Sequence, residues 1–464
     1  MIGPNRRTWA WMSVAWAASK HRRIRAVAHL LTGTSATVGL SLISITLTAR
    51  ALGPEQYGIL ALILTLGQAC ERLFSFQSWQ PLIRYGATLT PERHRDDLRS
   101  LFKFGLLLDL AGSVAAWAVA SLLALASHYV LGVSWHYVLV ALAFLLSLLC
   151  NMNGTATAAF RLADRYRTVA YLQVVSALLR LMASALAFAL GWGVVGFAIV
   201  WAATQAAGSL LNIGFALHLQ ARLGVTRIVS ARLSGMTERF PNVWGFTWGA
   251  NISLTIWASA QQVDTLIVGW LVDPAAAGMF HIAKRISRVA LQVGSQVEAV
   301  VYPDLSRLWA GGERTAFIRL LVQSEAILAG FGVICFITSL TFAKMVLEAT
   351  AGAHFAAAAP LMSAQILAVA FMISGAASRA GLLAMGRQPA VLRTVLAAAA
   401  TFYCLVIPLI GMMGAMGANA AHVLFGLVWL SGLTFSIRRG LRSPPSAATT
   451  IPVAGNQTSE AMSP

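Results

Sequence analysis

Charge is scarce in this chain of 464 residues: Asp, Glu, Lys and Arg together make up 11%. A soluble globular chain carries about a quarter. Hydrophobic residues supply 58% of the chain, and the mean hydropathy is +0.71. No packing of that composition gives a well-solvated surface, so the chain reads as a multi-spanning membrane protein. Acid is scarcer than base, at 16 Asp and Glu against 34 Lys and Arg, for a net charge of +18. In a soluble protein that excess would suggest nucleic acid. Membrane proteins instead gather Lys and Arg in cytoplasmic loops, and no nucleic-acid partner is expected. The four cysteines, Cys70, Cys150, Cys335 and Cys404, all lie in apolar stretches and form no CxxC pair. That pattern excludes a disulfide or metal framework. The histidines show no metal-ligand spacing, and HExxH, Walker A and nucleophile-elbow motifs are missing. Gly191-Trp192-Gly193-Val194-Val195-Gly196 fits GxGxxG, but no strand precedes it. No catalytic residue, metal or cofactor is expected.

What is present is a long series of apolar runs. A span takes about 20 residues, which leaves room for about a dozen spans and no soluble catalytic domain. Hydropathy predicts spans at 29–49, 57–76, 101–125, 135–159, 169–190, 194–219, 242–266, 276–301, 316–342, 359–383, 391–410 and 416–437. The termini and the even-numbered loops hold 26 of the 34 basic residues, and the odd-numbered loops hold none. Arg50 and Lys344 sit at span ends beside those odd loops. By the positive-inside rule both termini are cytoplasmic. Residues 1–27 read as a cytoplasmic or interfacial segment with Trp9, Trp11 and Trp16 at the headgroups. Arg6-Arg7 and a short apolar run suggest a signal peptide, but Lys20–Arg25 stands where a cleavage site would be. Met12 is a second candidate start. Residues 439–464 read as a disordered cytoplasmic tail, rich in Ser, Pro, Ala and Thr.

The basic linker 220–240 separates an N-lobe, 28–219, from a C-lobe, 241–438. The halves echo each other. Leu52-Gly53-Pro54-Glu55-Gln56-Tyr57-Gly58 joins spans one and two, and Asp273-Pro274-Ala275-Ala276-Ala277-Gly278 joins spans seven and eight. Trp79-Gln80-Pro81 and Val301-Tyr302-Pro303 close spans two and eight. Six spans per lobe predict a parallel repeat about an axis along the membrane normal. The stretch Ala49-Arg50-Ala51-Leu52-Gly53-Pro54-Glu55-Gln56-Tyr57-Gly58 resembles the signature after the first helix of the polysaccharide biosynthesis flippases. These are the Wzx-like branch of the multidrug/oligosaccharidyl-lipid/polysaccharide exporter superfamily. Asp264-Thr265-Leu266-Ile267-Val268-Gly269, then Gly278-Met279-Phe280-His281-Ile282-Ala283-Lys284-Arg285-Ile286, resembles a second recurring stretch. Tyr302-Pro303-Asp304-Leu305-Ser306 is similar to the end of that family's eighth helix. The resemblance implies an all-α fold of about twelve helices in two six-helix lobes. It also implies an inner-membrane flippase for undecaprenyl-pyrophosphate-linked oligosaccharide.

Charges inside spans are costly and face the bundle interior or water. At 1.5 Å per residue, Arg180 lies roughly 16 Å into span five and Arg288 roughly 18 Å into span eight. Lys284 and Arg285 lie about 12–14 Å from the periplasmic end, and Arg72 about 22 Å from it. These five form the candidate substrate site, a hydrated cationic cavity. Like charges at Lys284 and Arg288 on one face need an anion or an acidic partner. A pyrophosphate is such an anion, and Arg is well shaped to bind it. Polar stripes run along span one (Thr34, Thr37, Ser41, Ser44, Thr48), span five (Gln173, Ser176, Arg180, Ser184) and span seven (Asn251, Thr255, Ser259, Gln262). Span eight carries Lys284, Arg288, Gln292 and Gln296. Glu71, Asp109, Glu298 and Glu325 are candidate ion-pair or coupling acids. Asp264 with Arg50 or with Lys284 is the candidate periplasmic gate.

Three functions compete. A flippase would pass polyprenyl-pyrophosphate-linked glycan between the lobes by alternating access, for lipopolysaccharide, O-antigen or exopolysaccharide synthesis. Membrane lipids, and a polymerase and glycosyltransferases, would be its partners. A multidrug/cation antiporter would favour acidic and aromatic residues at its site, whereas the deep charges here lean basic. A membrane glycan polymerase or ligase needs a sizeable outer loop. The longest, 347–358, holds one acid, Glu348, so no enzyme is expected.

Overall fold

The computed structural model describes residues 6–248 and 262–442, with the side chains of 33–130, 132–248 and 262–442. Asn251, Thr255 and Ser259, the N-terminal tryptophan side chains and the tail from Ser443 lie outside the described residues. All the described regular structure is helical.

Spans one and two form one hydrogen-bonded helix, α1 (Arg6–Phe74), broken at Gly53 (φ 70°, ψ 174°). A straight helix of 69 residues would run about 100 Å, far beyond a core of about 30 Å. Gly53 supplies the positive φ that a residue with a Cβ resists, and Pro54 restarts the helix without needing its missing N–H. The predicted loop 52–56 is thus a break at one residue. A short α2 (Trp79–Gly86) follows, then α3 (Arg95–Leu131). Span four is α4 (Trp135–Leu145), a 3-10 turn over Leu146–Cys150 and α5 (Asn153–Leu162). Spans five and six are α6 (Tyr166–Ala189) and α7 (Val194–Arg222).

The basic linker is docked, not free. Lys103 Nζ donates to the Ala231 carbonyl at 2.7 Å, and Tyr85 Oη to that of Pro241 at 2.8 Å. Val225, Ile228, Met236 and Phe240 are buried against the first half. The short α8 (Met236–Arg239) lies within this stretch.

In the second half, α9 (Val263–Leu271) ends span seven, and α10 (Pro274–Ala310) is span eight. Asp273 caps α10, accepting from the Ala276 N–H at 2.6 Å, with Pro274 in the first turn. The same proline therefore opens the second helix of each half. Spans nine to twelve are α11 (Arg314–Thr350), α12 (Ala359–Ser374) with α13 (Ala376–Ala384), α14 (Gln388–Met413) and α15 (Ala415–Arg442). Nine described stretches are long and apolar enough to cross a membrane. The first of them carries spans one and two together. Span eight is not among them, because Lys284, Arg285, Arg288 and Glu298 interrupt its apolar sequence.

Candidate functional site

The two echoing turns meet. A Cβ on Gly58 would sit 1.7 Å from the Pro274 carbonyl oxygen, and one on Gly278 would sit 2.4 Å from that of Pro54. The contact is reciprocal, as a local twofold requires. Burial then fades along both central helices toward the arginine-rich ends. In span one Ser44, Ile45, Thr48 and Ala49 are buried, while Ser35, Ala36, Gly39 and Ile43 are exposed. In α10 the run Phe280–Lys284 is buried, while Val289, Val293 and Val300 are exposed. Among the described residues the two central helices meet closely at the Gly58–Gly278 clamp, while at the other end the start of span seven packs on the first half through Trp244 on Phe104 and Trp248 on Phe76.

A chain of hydrogen bonds crosses this clamp. Arg285 donates from Nε to His281 Nε2 at 3.2 Å and from Nη2 to Gln68 Oε1 at 3.0 Å. Guanidinium nitrogen is always a donor, so His281 Nε2 must accept and the ring proton sits on Nδ1. His281 Nδ1 then donates to Tyr57 Oη at 2.7 Å. Tyr57 also packs edge-on against Phe355. Tyr57→Phe leaves the buried His281 N–H without its acceptor, at about 1–3 kcal/mol. The expected result is a lower melting temperature in detergent and faster thiol labelling of a cysteine placed at buried Leu347. Unchanged melting and labelling would show that the chain does not hold the halves together.

Span eight splits its charges between two neighbourhoods. At 100° per residue, Lys284 and Arg285 point about 100° apart, so Arg285 reaches span two while Lys284 turns into the second half. Lys284 is 3% exposed and paired with Asp264, which is fully buried. His422 Nε2 donates to Asp264 Oδ2 at 2.6 Å, and the Thr265 N–H donates to Oδ1 at 2.7 Å. Lys284 therefore leaves the expected hydrated cavity, because an acidic partner already neutralises it in a dry place. The Asp264–Arg50 alternative is also corrected. Arg50 points to the Glu348 and Ala349 carbonyls, both at 3.4 Å, at the C-terminus of α11. A cation is favoured there by the helix dipole and the unpaired carbonyls.

Four arginines remain together. Arg285 acts electrostatically on Arg180 and Arg288, and Arg72 acts on Arg285 and Arg288. They come from spans two, five and eight, at the depth where burial of the central helices gives out. Arg72 is exposed, and the other three are half-buried. Arg180 lies over the Trp201 ring at 5.1 Å, and its Nε is buried without a hydrogen-bond partner.

Two acids reach this group electrostatically, Asp264 acting on Arg288 and Glu71 on Arg72, and the acids take their hydrogen bonds elsewhere. Among the described residues Asp109 has no cation partner; it accepts from Ser78 Oγ, and from Thr155 N and Oγ1 at 2.7 Å each. Gly154 makes room for this, since a Cβ there would lie 2.7 Å from Asp109 Oδ1. Glu71 bonds the Asn151 side chain within the field of Arg72, and with Asp109 it lines a small cavity of about 70 Å³. Glu298 pairs with Arg379 at 2.8 Å, and Glu325 accepts from Ser378. Gln68, His281, Arg379 and His422 were not singled out from the sequence. His281 and Arg285 sit four apart, and a search for i, i+4 polar pairs would have found them.

The family described as "Polysaccharide biosynthesis protein" matches residues 24–309, more than half of the chain. The chain belongs to that family. It is similar to the Inner membrane protein YghQ of Escherichia coli (strain K12), at 25% identity over 318 residues, covering 68% of this chain and 88% of the relative. Among solved structures it is similar to the lipid II flippase MurJ in an inward closed conformation. There the TM-score is 0.68 at 15% identity, covering 89% of this chain and 88% of that one. An inward-facing multidrug resistance MATE family transporter of the MOP superfamily gives a TM-score of 0.63 at 14% identity, covering 89% and 94%. The chain thus shares the all-α membrane fold of these two transporters.

Proposed function

We propose that the protein is a flippase that carries a polyprenyl-pyrophosphate-linked oligosaccharide across the bacterial inner membrane for polysaccharide biosynthesis. One observation carries this reading. Arg72, Arg180, Arg285 and Arg288 converge from three spans at the inner limit of the clamp. Such a cluster attracts an anion carrying several negative oxygens, and planar guanidinium groups suit phosphate. It repels a cationic drug, which disfavours the antiporter reading. The lobes are 28–219 and 241–438, both termini are cytoplasmic, and the clamp lies on the periplasmic side. The clamped form therefore loads from the cytoplasm, and rocking about the Gly58–Gly278 contact delivers the headgroup outward. The glycan is moved, not modified. Its supply and use fall to glycosyltransferases and a polymerase.

The test is export. Arg72→Ala, Arg180→Ala and Arg288→Ala each remove a charge-assisted bond of about 1.5–3 kcal/mol. The expected result is normal insertion and loss of surface glycan in a deletion strain, with partial rescue by lysine. Full export by all three alanine variants at normal levels would refute the reading.

A further inference from the structure

A groove of about 620 Å³ lies on a different part of the second lobe, between α14 and α15 at their arginine-rich ends. That volume is within the range of ligand sites, about 300–1,000 Å³. Among the described residues its lining holds three arginines, Arg387, Arg393 and Arg439, and no carboxylate. Ser436, three residues before Arg439 on α15, adds a hydroxyl at the arginine end, while Phe435 and Val428 give the groove an apolar wall further along the helix. Phe435 is 66% exposed, as suits a side chain against lipid. Arg387 occupies the residue before the first turn of α14 and makes no side-chain cap bond, so the positive end of a long helix dipole opens at the same place. The groove thus has a cationic, hydroxyl-bearing mouth at headgroup level and an apolar floor running into the bilayer. That order of chemistries is the order along a phospholipid.

We infer that this groove is a binding site for an anionic phospholipid. The phosphodiester would lie among Arg387, Arg393 and Arg439, and an acyl chain along Val428 and Phe435. The case for a lipid over a soluble phosphate is the apolar wall, which a free anion would leave bare. Its place on spans eleven and twelve separates it from the four arginines between the lobes. A lipid there would tie the second lobe to the charge of one leaflet.

The test uses the full chain in phosphatidylcholine nanodiscs titrated with phosphatidylglycerol, with bound lipid counted by native mass spectrometry. A basic residue near an anionic surface contributes a factor of about five in binding. The expected loss is therefore about fivefold for each single change, R387Q, R393Q or R439Q, and about 100-fold for the triple variant. Lysine at the three positions should keep most of the binding. A control removing equal charge elsewhere, R93Q/R165Q/R232Q, should leave it unchanged. Should the triple variant fail to insert, the three single variants decide. Undiminished binding in the glutamine variants would overturn the site. So would an equal loss in the control, which would mean that net charge alone is read. Displacement of phosphatidylglycerol by a polyprenyl pyrophosphate would overturn the assignment and place the groove on the transport path. None of these readouts depends on glycan export, so the inference and the proposed function can fail separately.

Discussion

Gly58→Ala is expected to drive the two lobes apart at the clamp. The new methyl group would lie 1.7 Å from the Pro274 carbonyl oxygen and 2.5 Å from its carbon. Both are backbone atoms, so no side chain can swing away, and the helices themselves must separate. Overpacking of this kind costs about 1–3 kcal/mol where side chains can adjust; here the adjustment is the conformational change itself. A cost of that size lowers the clamped population about 5- to 150-fold relative to the open form. Leu347, fully buried where the halves meet, gives the readout. As a cysteine in a background without the four native thiols, it should resist maleimide in the parent and label rapidly in Gly58→Ala. Gly278→Ala should act alike, since its methyl would lie 2.4 Å from the Pro54 oxygen. Gly214 has nothing within 4 Å of an added Cβ, so Gly214→Ala should change nothing. Slow labelling in Gly58→Ala, equal to the parent, would mean that the lobes do not part along this seam.

The two turns of that seam were marked in the sequence by the repeated Pro-to-Gly spacing, but their contact was not, because a twofold brings equivalent turns together only where they lie near its axis. Span number was readable from charge as well as hydropathy. Span eight carries four charges inside its apolar run, and the alternation of basic loops supports it there. Partnership inside the membrane was much less legible. A stripe along one helix fixes which residues share a face, but not where that face divides between two neighbours. Lys284 and Arg288 are one turn apart, yet Lys284 is sealed against Asp264. His422 lies 158 residues from Asp264, and no local pattern announces such a contact. The same holds for Arg379, whose partner Glu298 is 81 residues away. Hydropathy also understated helix length. The apolar run of span eight stops near Val301, while α10 continues to Ala310, because backbone hydrogen bonding carries on into the headgroup region after lipid contact ends.

The buried pair yields the other large effect. Asp264→Asn is expected to destabilise the second lobe by about 3–5 kcal/mol, the cost of leaving one member of a buried ion pair uncompensated. The amide keeps the shape but cannot neutralise Lys284, which is 3% exposed and cannot reach water without unpacking α10. At about 2–4 °C per kcal/mol for a unit of roughly 200 residues, the melting temperature should fall by about 6–20 °C. Lys284→Met should cost less. Asp264 would retain its hydrogen bonds from His422 Nε2 and the Thr265 N–H. The double change Asp264→Asn with Lys284→Met removes both charges, and replacing a whole buried pair is often nearly neutral. The double variant should therefore melt above Asp264→Asn alone, giving a coupling of about 2 kcal/mol or more between neighbours in one network. The pair stands behind the arginine face of span eight, so its loss should also loosen that face and reduce export. Additive effects of the two single changes would show that Lys284 and Asp264 are not coupled. Lys284 would then belong with the four arginines after all.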